Sequence, residues 1–280
     1  MHLQCGRFRL DLGVPAVMGV LNVTPDSFSD GGRFLEVPAA IAQAERMAGD
    51  GAAIIDVGGE STRPGSAPVD EDEEMRRVLP VVERLAATLS IPVSVDTRKT
   101  AVMRRAIAAG ASLVNDVTAL AAPGAVEAVA GSDAAVCLMH MQGEPGTMQD
   151  APRYTDVVVD VRAFLGRRVA ACLDAGIGRT RIAVDPGFGF GKTLEHNLAL
   201  LAGLPALAAD GFPVVAGLSR KRMIAALTGR DGGERLAGSL AAAVIAAWNG
   251  ARIIRAHDVR ETVDALRVMA AAGAMRDNCA

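Results

Sequence analysis

Eight short aliphatic runs alternate with eight longer segments rich in Ala, Leu and Arg, and this alternation limits the possible folds more than any other feature. Each run is continuously apolar, which is typical of a parallel strand that is buried on both faces. The predicted strands are Ala16–Leu21, Ala53–Val57, Pro92–Val95, Ser112–Asn115, Ala134–Met139, Arg181–Val184, Pro213–Gly217 and Ala251–Arg255.

The segments between the runs have helical periodicity and helical end signals. Several of them finish in a Gly followed by a small residue and the next run, as at Gly51, Gly110, Gly176 and Gly250, which is the pattern of a short helix-to-strand turn. The predicted helices are Pro38–Gly49, Asp70–Leu89, Lys99–Ala109, Pro123–Gly131, Tyr154–Ala175, Leu194–Leu201, Glu234–Trp248 and Val259–Ala272.

Eight β-α units with no spare segment predict an α/β fold, a closed (β/α)8 TIM barrel that forms a single domain over residues 1–280. Residues 1–13 are expected to form an N-terminal hairpin at the bottom of the barrel. An open doubly wound sheet is the alternative. The glycines after the first run do not form the GxGxxG pattern before a helix, which argues against that sheet.

Charge and cysteine usage narrow the functional classes. The net charge of −3 is spread along the chain without a basic block, so no nucleic-acid partner and no membrane partner are expected. No two of the four cysteines have metal-ligand spacing. The N-terminus lacks the apolar core of a signal peptide, and no segment reaches the ~18 apolar residues of a spanning helix. A soluble, cytoplasmic protein is therefore expected.

Every predicted strand ends in a polar or ionisable residue, and this is the strongest functional signal in the sequence. In a TIM barrel the active site gathers at the carboxyl ends of the strands. A single Asp at such an end, for example Asp96, is often only a helix N-cap, but eight polar ends in one barrel indicate a site. They begin at Asn22, Asp56, Asp96, Asn115, His140, Asp185, Ser219 and His257.

The polar residues divide by type. Asp96, Asn115 and Asp185 follow strands three, four and six, where they could pair with a flat heterocycle that offers N–H donors. Cationic side chains come from strands two, seven and eight and predict an anion site, often for phosphate: Arg63, Lys221, Arg255 and His257. Phe190 lies between two glycines and is expected to stack on a ring. The surrounding PGFGFGK lacks the spacing of a nucleotide P-loop.

Seven motifs, in sequence order, resemble those of the dihydropteroate synthase family over essentially the whole chain: NVTPDSFSDGG, DVGGESTRPG, VDTRK, VNDV, DPGFGFGK, GLSRK and RAHDV. The resemblance implies a TIM barrel of folate biosynthesis that is commonly a homodimer. It also implies condensation of 6-hydroxymethyl-7,8-dihydropterin diphosphate with 4-aminobenzoate to give 7,8-dihydropteroate and diphosphate, with Mg2+.

The same resemblance assigns individual residues. It implies pterin-ring contacts at Asp96, Asn115, Asp185 and Lys221, and a pocket wall at Met139, Phe190 and Gly217. Asn22 matches the Mg2+ ligand. The implied diphosphate contacts are Arg63, Arg255 and His257. The implied aminobenzoate environment is Thr62, Arg63, Pro64, Phe28 and Ser219.

The segment from Thr24 to Gly32 is interpreted as a mobile lid, with Asp26 as a second Mg2+ ligand when the lid closes. The expected chemistry is a dissociative substitution at the pterin methylene, in which an ionised Asp96 or Asp185 favours the electron-poor carbon and the arylamine attacks last. The predicted catalytic residues are Asp96, Asp185, Lys221, Arg255 and His257.

Two rival functions differ in what they require of the sequence. A methyltetrahydrofolate-dependent methyltransferase on a similar barrel would keep the Asp and Asn ring contacts without needing NVTPDSFSDGG or the pair Arg255 and His257. A pterin-binding or regulatory protein without catalysis would be expected to lose Asn22, Arg63, Lys221 or His257, and all four are present.

Overall fold

The computed structural model describes residues 1–24, 33–61, 68–144, 146–230 and 232–277. Its largest sheet has eight parallel strands in the order β8-β7-β6-β5-β4-β3-β10-β9, and a bridge between Val184 and Val214 joins the two ends. Two more strands, β1 and β2, form an antiparallel hairpin. The strands are β1 His2–Cys5, β2 Phe8–Asp11, β3 Ala16–Asn22, β4 Ile54–Gly58, β5 Val93–Asp96, β6 Leu113–Asp116, β7 Ala135–Met139, β8 Ile182–Asp185, β9 Val215–Gly217 and β10 Ile253–Ala256.

Helices connect the barrel strands and cover them. Polar side chains cap several helix starts: Asp70 accepts a hydrogen bond from the Glu73 backbone, and Thr193 forms a capping box with His196. The helices are α1 Arg33–Gly49, α2 Glu71–Thr88, α3 Thr100–Ala108, α4 Ala125–Ala130, α5 Val157–Asp174, α6 Leu194–Ala202, α7 Leu204–Ala208, α8 Arg222–Thr228, α9 Leu236–Trp248 and α10 Val259–Asp277.

The predicted TIM barrel is confirmed, and each barrel strand lies within two residues of its predicted bounds. The four turn glycines named above all have positive φ, between 86° and 106°, as the helix-to-strand turns require. The prediction that Pro38 begins α1 is wrong, because the helix begins at Arg33 and contains this proline. Helices α7 and α8 were not predicted because their five and seven residues are too short to show a clear period.

Two apolar layers position the site. The outer layer lies between strands and helices. The inner layer fills the barrel with Met18, Ile54, Leu113, Ala135, Cys137, Ala183, Val215 and Ile253, and the side chains of Leu3, Cys5 and Leu12 from the hairpin segment join it. Because the hairpin covers this end of the barrel, the polar strand ends lie at the opposite, open end. None of the helices in the described part of the chain combines the length and apolarity needed to cross a bilayer.

Candidate active site

The strand registers place the predicted ring contacts in neighbouring pairs near the carboxyl ends of their strands. Gly58 on β4 pairs with Asp96 on β5, and Asp96 pairs with Asn115 on β6. On the next strands, Met139 pairs with Asp185. Side chains alternate along a strand, so these neighbours point into the barrel together. Asn115, Met139 and Asp185 are each 5% exposed. The structure therefore gathers the predicted acceptors in one pocket.

A network of ion pairs and one amide hydrogen bond joins the four strands β4, β5, β6 and β10. The Arg255 guanidinium donates from Nε to Asp56 Oδ2 at 2.6 Å and from an Nη to Asp96 Oδ2 at 2.7 Å. Asn115 donates from Nδ2 to the same Asp56 oxygen at 3.0 Å. Asp56 was not among the predicted site residues. The signal that could have identified it is an ionisable residue inside the aliphatic run Ile54–Gly58.

The sequence predicts that the barrel mouth has one side for the ring and another for the anion, but Arg255 does not lie on the anion side. Its guanidinium contacts Asp56 and Asp96, which belong to the carboxylate side of the mouth. The sequence placed Arg255 with the cations because strand order alone does not show how far a long side chain reaches across a barrel. In the structure its charge lies beside the predicted ring contacts.

Burial raises the pKa of both Asp96 and Asp185. Burial raises the pKa of Asp96 to about 7, although the charge of Arg255 opposes the shift. Burial also raises the pKa of Asp185, opposed first by Lys221. Asp185 keeps one directed contact, since its Oδ1 accepts the backbone N–H of Gly187 at 2.7 Å. Both groups can ionise when a ligand donor or a cation is close.

Lys221 lies against the glycine-rich loop that follows β8. Its Nζ donates to the Phe188 carbonyl and lies 4.6 Å from the centroid of the Phe190 ring. Burial lowers the pKa of Lys221 to about 8, while the charge of Asp185 opposes that shift. Gly217 opens space beside it, because a Cβ there would lie 3.9 Å from Lys221 Nζ. The predicted pocket residues Phe190, Gly217 and Lys221 are thus neighbours.

The loop carrying Phe190 is fixed by hydrogen bonds from outside. Gln149 donates to the carbonyl of Gly189 at 2.7 Å, and Tyr154 donates to that of Gly191 at 2.8 Å. Lys192 is 3% exposed, and its Nζ lies 3.0 Å from His140 Nδ1 and 2.9 Å from the Phe190 carbonyl oxygen. This loop is a rigid wall of the pocket.

Two histidines that were interpreted as structural have structural contacts. The His140 ring packs edge-on against Phe164 at 4.9 Å, and burial lowers the pKa of His140 to about 3, which keeps it neutral. His196 lies in the capping box of α6. His257 differs, because it lies at the mouth after β10. Its Nδ1 lies 3.1 Å from Ser219 Oγ, and its backbone N–H donates to the same oxygen.

The predicted metal ligand Asn22 ends β3 beside Asp96. A Cβ at Gly58 would lie 3.8 Å from both Asn22 Oδ1 and Asp96 Oδ2, so these two oxygens flank Gly58. Among the residues that the structure describes, no group of three His, Cys, Asp or Glu side chains could hold a metal ion. Five predicted site residues lie outside the described residues: Asp26, Phe28, Thr62, Arg63 and Pro64.

A cavity of about 190 Å³ adjoins the pocket at Asp96. Beside it, Lys99 forms ion pairs with Glu60 and the fully buried Glu74. These pairs fix Glu60 immediately before Ser61, the last described residue ahead of the predicted Thr62 and Arg63 contacts. The cavity therefore belongs to the same mouth as the predicted ring pocket.

Comparisons with known proteins identify the family of the chain. Residues 18–257 match the family described as "Pterin binding enzyme". The chain is 52% identical over 269 residues to dihydropteroate synthase of Escherichia coli strain K12, covering 96% of this chain and 95% of that protein. It is also similar to a Xanthomonas albilineans dihydropteroate synthase solved with 4-aminobenzoic acid, with a TM-score of 0.92, 54% identity and 98% of each chain covered.

The enzyme from the same organism has been solved in complex with 7,8-dihydropteroate. That structure matches with a TM-score of 0.90 and 51% identity, and the match covers 98% of this chain and 99% of that one.

Proposed function

The chain belongs to the dihydropteroate synthase family of pterin-binding enzymes, and we propose that the mouth of its barrel binds the pterin diphosphate through the carboxylate network described above. The family reaction is a transfer: 6-hydroxymethyl-7,8-dihydropterin diphosphate and 4-aminobenzoate condense to 7,8-dihydropteroate and diphosphate. The observation that carries the proposal is the convergence of Asp96, Asn115 and Asp185 with two partly buried cations, Lys221 and Arg255, at the carboxyl ends of the strands.

The ring is recognised by acceptors that face its N–H groups. Asp96, Asn115 and Asp185 supply carboxylate and amide oxygens from three strands, and a buried acceptor that meets a ring donor is worth far more than one left unpaired. Lys221 donates from the opposite side to a ring nitrogen or carbonyl, and Phe190 stacks beside it. Met139 and Gly217 complete the wall. A flat heterocycle with several N–H donors fits this arrangement.

Bond cleavage comes before attack. The bond between the pterin methylene carbon and the diphosphate oxygen breaks, and the electron pair leaves with diphosphate. The electron-rich dihydropterin shares the positive charge of the carbon, and the ionised carboxylates of Asp96 and Asp185 stabilise that charge. The nitrogen of 4-aminobenzoate then forms the new bond and loses its proton to solvent. An arylamine is uncharged at neutral pH, so the protein supplies placement and electrostatics.

Diphosphate is held at the rim of the pocket. His257, oriented by Ser219, is a described donor on this side of the mouth. Arg255 contacts Asp56 and Asp96, so its diphosphate contact is proposed only on the strength of its motif. The contacts assigned to Arg63, and the aminobenzoate environment of Thr62, Pro64, Phe28 and Ser219, remain part of the proposal on the strength of their motifs. The developing charge of the leaving group is what these donors stabilise.

The residues at the end of β3 fit Mg2+. This ion prefers oxygen ligands and is commonly bound by one or two protein groups together with substrate phosphates. Asn22 Oδ1 is a suitable oxygen, and it lies at the same level as Asp96. We therefore assign Asn22 as the Mg2+ ligand, with Asp26 as a second one. When bound, the ion would supply positive charge to the departing diphosphate.

A homodimer is the proposed assembly. Large apolar side chains are exposed on the adjoining helices α9 and α10, with Ile245 48%, Trp248 49% and Val268 72% exposed. Such a group of side chains is typical of an interface. Light scattering of the protein is expected to give twice the chain mass, and Val268→Glu is expected to shift it toward the monomer. A single-chain mass for the unaltered protein would refute the dimer.

The activity is tested by measuring diphosphate release from the pterin diphosphate. Release is expected to require 4-aminobenzoate and Mg2+ and to produce 7,8-dihydropteroate in equal amount. Binding of the pterin without any turnover would favour the non-catalytic pterin-binding protein. Methyl transfer from methyltetrahydrofolate would favour the rival methyltransferase.

A further inference from the structure

Asp56 is a buried carboxylate that lies one layer below the predicted ligand contacts. It is 0% exposed and faces into the barrel from the middle of β4. In the strand register it pairs with Val20 and Ser94, whereas Asp96 and Asn115 pair with each other two residues further along. Asp56 therefore supports the pocket from beneath.

A single oxygen of Asp56 serves two pocket residues. Its Oδ2 accepts from Asn115 Nδ2 at 3.0 Å and from Arg255 Nε at 2.6 Å. Its Oδ1 has no hydrogen-bond partner within the described part of the chain. The neighbouring Nη of Arg255 is directed to Asp96. The position of both Asn115 and Arg255 thus depends on one atom.

The acceptor atom Asp56 Oδ2 determines which end of the Asn115 amide faces Asp56. An amide has one donor end and one acceptor end of nearly equal shape, whereas an ionised carboxylate only accepts. Because Asp56 Oδ2 also accepts from Arg255 Nε and lies 3.0 Å from Asn115 Nδ2, the donor end of Asn115 faces Asp56. The carbonyl oxygen is then the atom that Asn115 can offer to a ligand.

We infer that Asp56 is a positioning residue, which fixes the polarity of the Asn115 amide and the direction of Arg255 and thereby sets the preference of the pocket for rings that present N–H donors. The inference rests on the proposed role of Asn115 as a ring contact. A carboxylate that only neutralised Arg255 would have no reason to bind the Asn115 amide through the same oxygen.

Exchanging the carboxylate and the amide between positions 56 and 115 tests the inference. Asp56→Asn keeps an acceptor for Arg255 but also permits the Asn115 amide to reverse, and we expect pterin affinity to fall by about ten-fold. Asn115→Asp places a second carboxylate against Asp56 and is expected to lower affinity by more than about 100-fold. In the double variant, the new amide at position 56 can donate to the new carboxylate at position 115. That carboxylate still offers an oxygen to the ring.

The new amide nitrogen then faces Arg255 Nε, which donates to Asp56 Oδ2 in the unaltered protein, so rescue is expected to be partial. The double variant is expected to bind a 7,8-dihydropterin about ten-fold more tightly than Asn115→Asp, which is a coupling between two adjacent sites. Titration calorimetry measures the affinities, and denaturant unfolding measures the stability of each variant. Double-variant binding no tighter than that of Asn115→Asp would overturn the inference. The control is Asp116→Asn, which changes another fully buried Asp that accepts from Thr118 and Leu120. It is expected to lower stability without changing pterin affinity.

A second comparison applies if Asp56→Asn does not fold. Asn115→Asp retains an acceptor for the ring, whereas Asn115→Ala does not, so a pocket without the Asp56 constraint would bind better with Asp than with Ala. The inference expects the reverse order, and equal or tighter binding by Asn115→Asp would refute it. Failure of the unaltered protein to bind any pterin would instead refute the proposed function, which separates the two results.

Discussion

Replacing Gly189 with alanine should weaken pterin binding by displacing the neighbouring Lys221 side chain. Gly189 has φ of +80°, and a Cβ there would lie 3.2 Å from Lys221 Cδ. The backbone cannot yield easily, because its N–H donates to Asn197 at 2.7 Å and its carbonyl accepts from Gln149 at 2.7 Å. The flexible Lys221 side chain must therefore move, away from its contact with the Phe188 carbonyl.

The substitution is expected to have two separate effects, one on folding stability and one on pterin affinity. An L-residue in the left-handed region costs about 1–2 kcal/mol of folding free energy, and this part needs no contact. Gly176 provides the matched control, since its φ is +86° and a Cβ there would meet nothing within 4 Å. Both variants should lose this amount of stability. Only Gly189→Ala should also lose pterin affinity, by about ten-fold, which corresponds to about 1.4 kcal/mol.

Urea unfolding gives the stability of each variant, and titration calorimetry with a 7,8-dihydropterin gives the affinity. Equal stability losses with a selective loss of affinity in Gly189→Ala are the expected result. Unchanged pterin affinity in Gly189→Ala would show that the position of Lys221 does not matter for the ring. An equal loss of affinity in Gly176→Ala would show that general destabilisation, and not Lys221, is responsible.

Three further predictions concern the charged groups. The kcat/KM for pterin diphosphate should rise as pH increases through about 7, where Asp96 ionises, and fall above about 8, where Lys221 loses its proton. Lys221→Arg should shift the decrease in kcat/KM to higher pH. A decrease at the same pH in this variant would contradict the assignment to Lys221. Arg255→Ala leaves the buried Asp56 and the partly buried Asp96 without their cation. The free energy of unfolding at pH 8 should fall by about 3 kcal/mol, the low end for a buried pair, and recover partly at pH 6, as Asp96 becomes protonated. Pterin and pterin diphosphate should both bind more weakly to that variant, and calorimetry that finds a loss for the diphosphate alone would contradict the placement of Arg255 beside Asp96. Asp185→Asn should lower pterin affinity by about 100-fold because an acceptor becomes a donor, and unchanged calorimetric affinity would remove Asp185 from the pocket.

The sequence predicts the barrel well because both strong signals are local. Continuous apolar runs specify buried strands, and turn glycines such as Gly110 and Gly250 specify where helices end. Once the barrel is predicted, residues that follow the strands, including Asp96 and Asp185, are placed at its mouth without further information. For these residues the position along the chain is enough.

The contacts across the barrel could not be predicted in the same way. Asp56 and Arg255 are separated by 199 residues, and their pairing depends on strand stagger and on side-chain reach. Lys192 ends the segment PGFGFGK, and the sequence did not predict that its ammonium is buried against His140 and supports the loop from behind. The local sequence pattern predicts where along a strand a residue lies. The side chain that it contacts across the barrel depends on the folded structure and cannot be read from that pattern.

The hairpin at the bottom of the barrel has a consequence for folding during synthesis. Leu3, Cys5 and Leu12 pack on side chains from strands distributed along the whole chain, and the last of these is Ile253 on β10. These hairpin residues leave the ribosome long before β10, so their binding surface stays incomplete until β10 has been made. Until then the nascent chain carries an unburied apolar segment ahead of the barrel strands, a natural binding target for chaperones that act on incomplete chains.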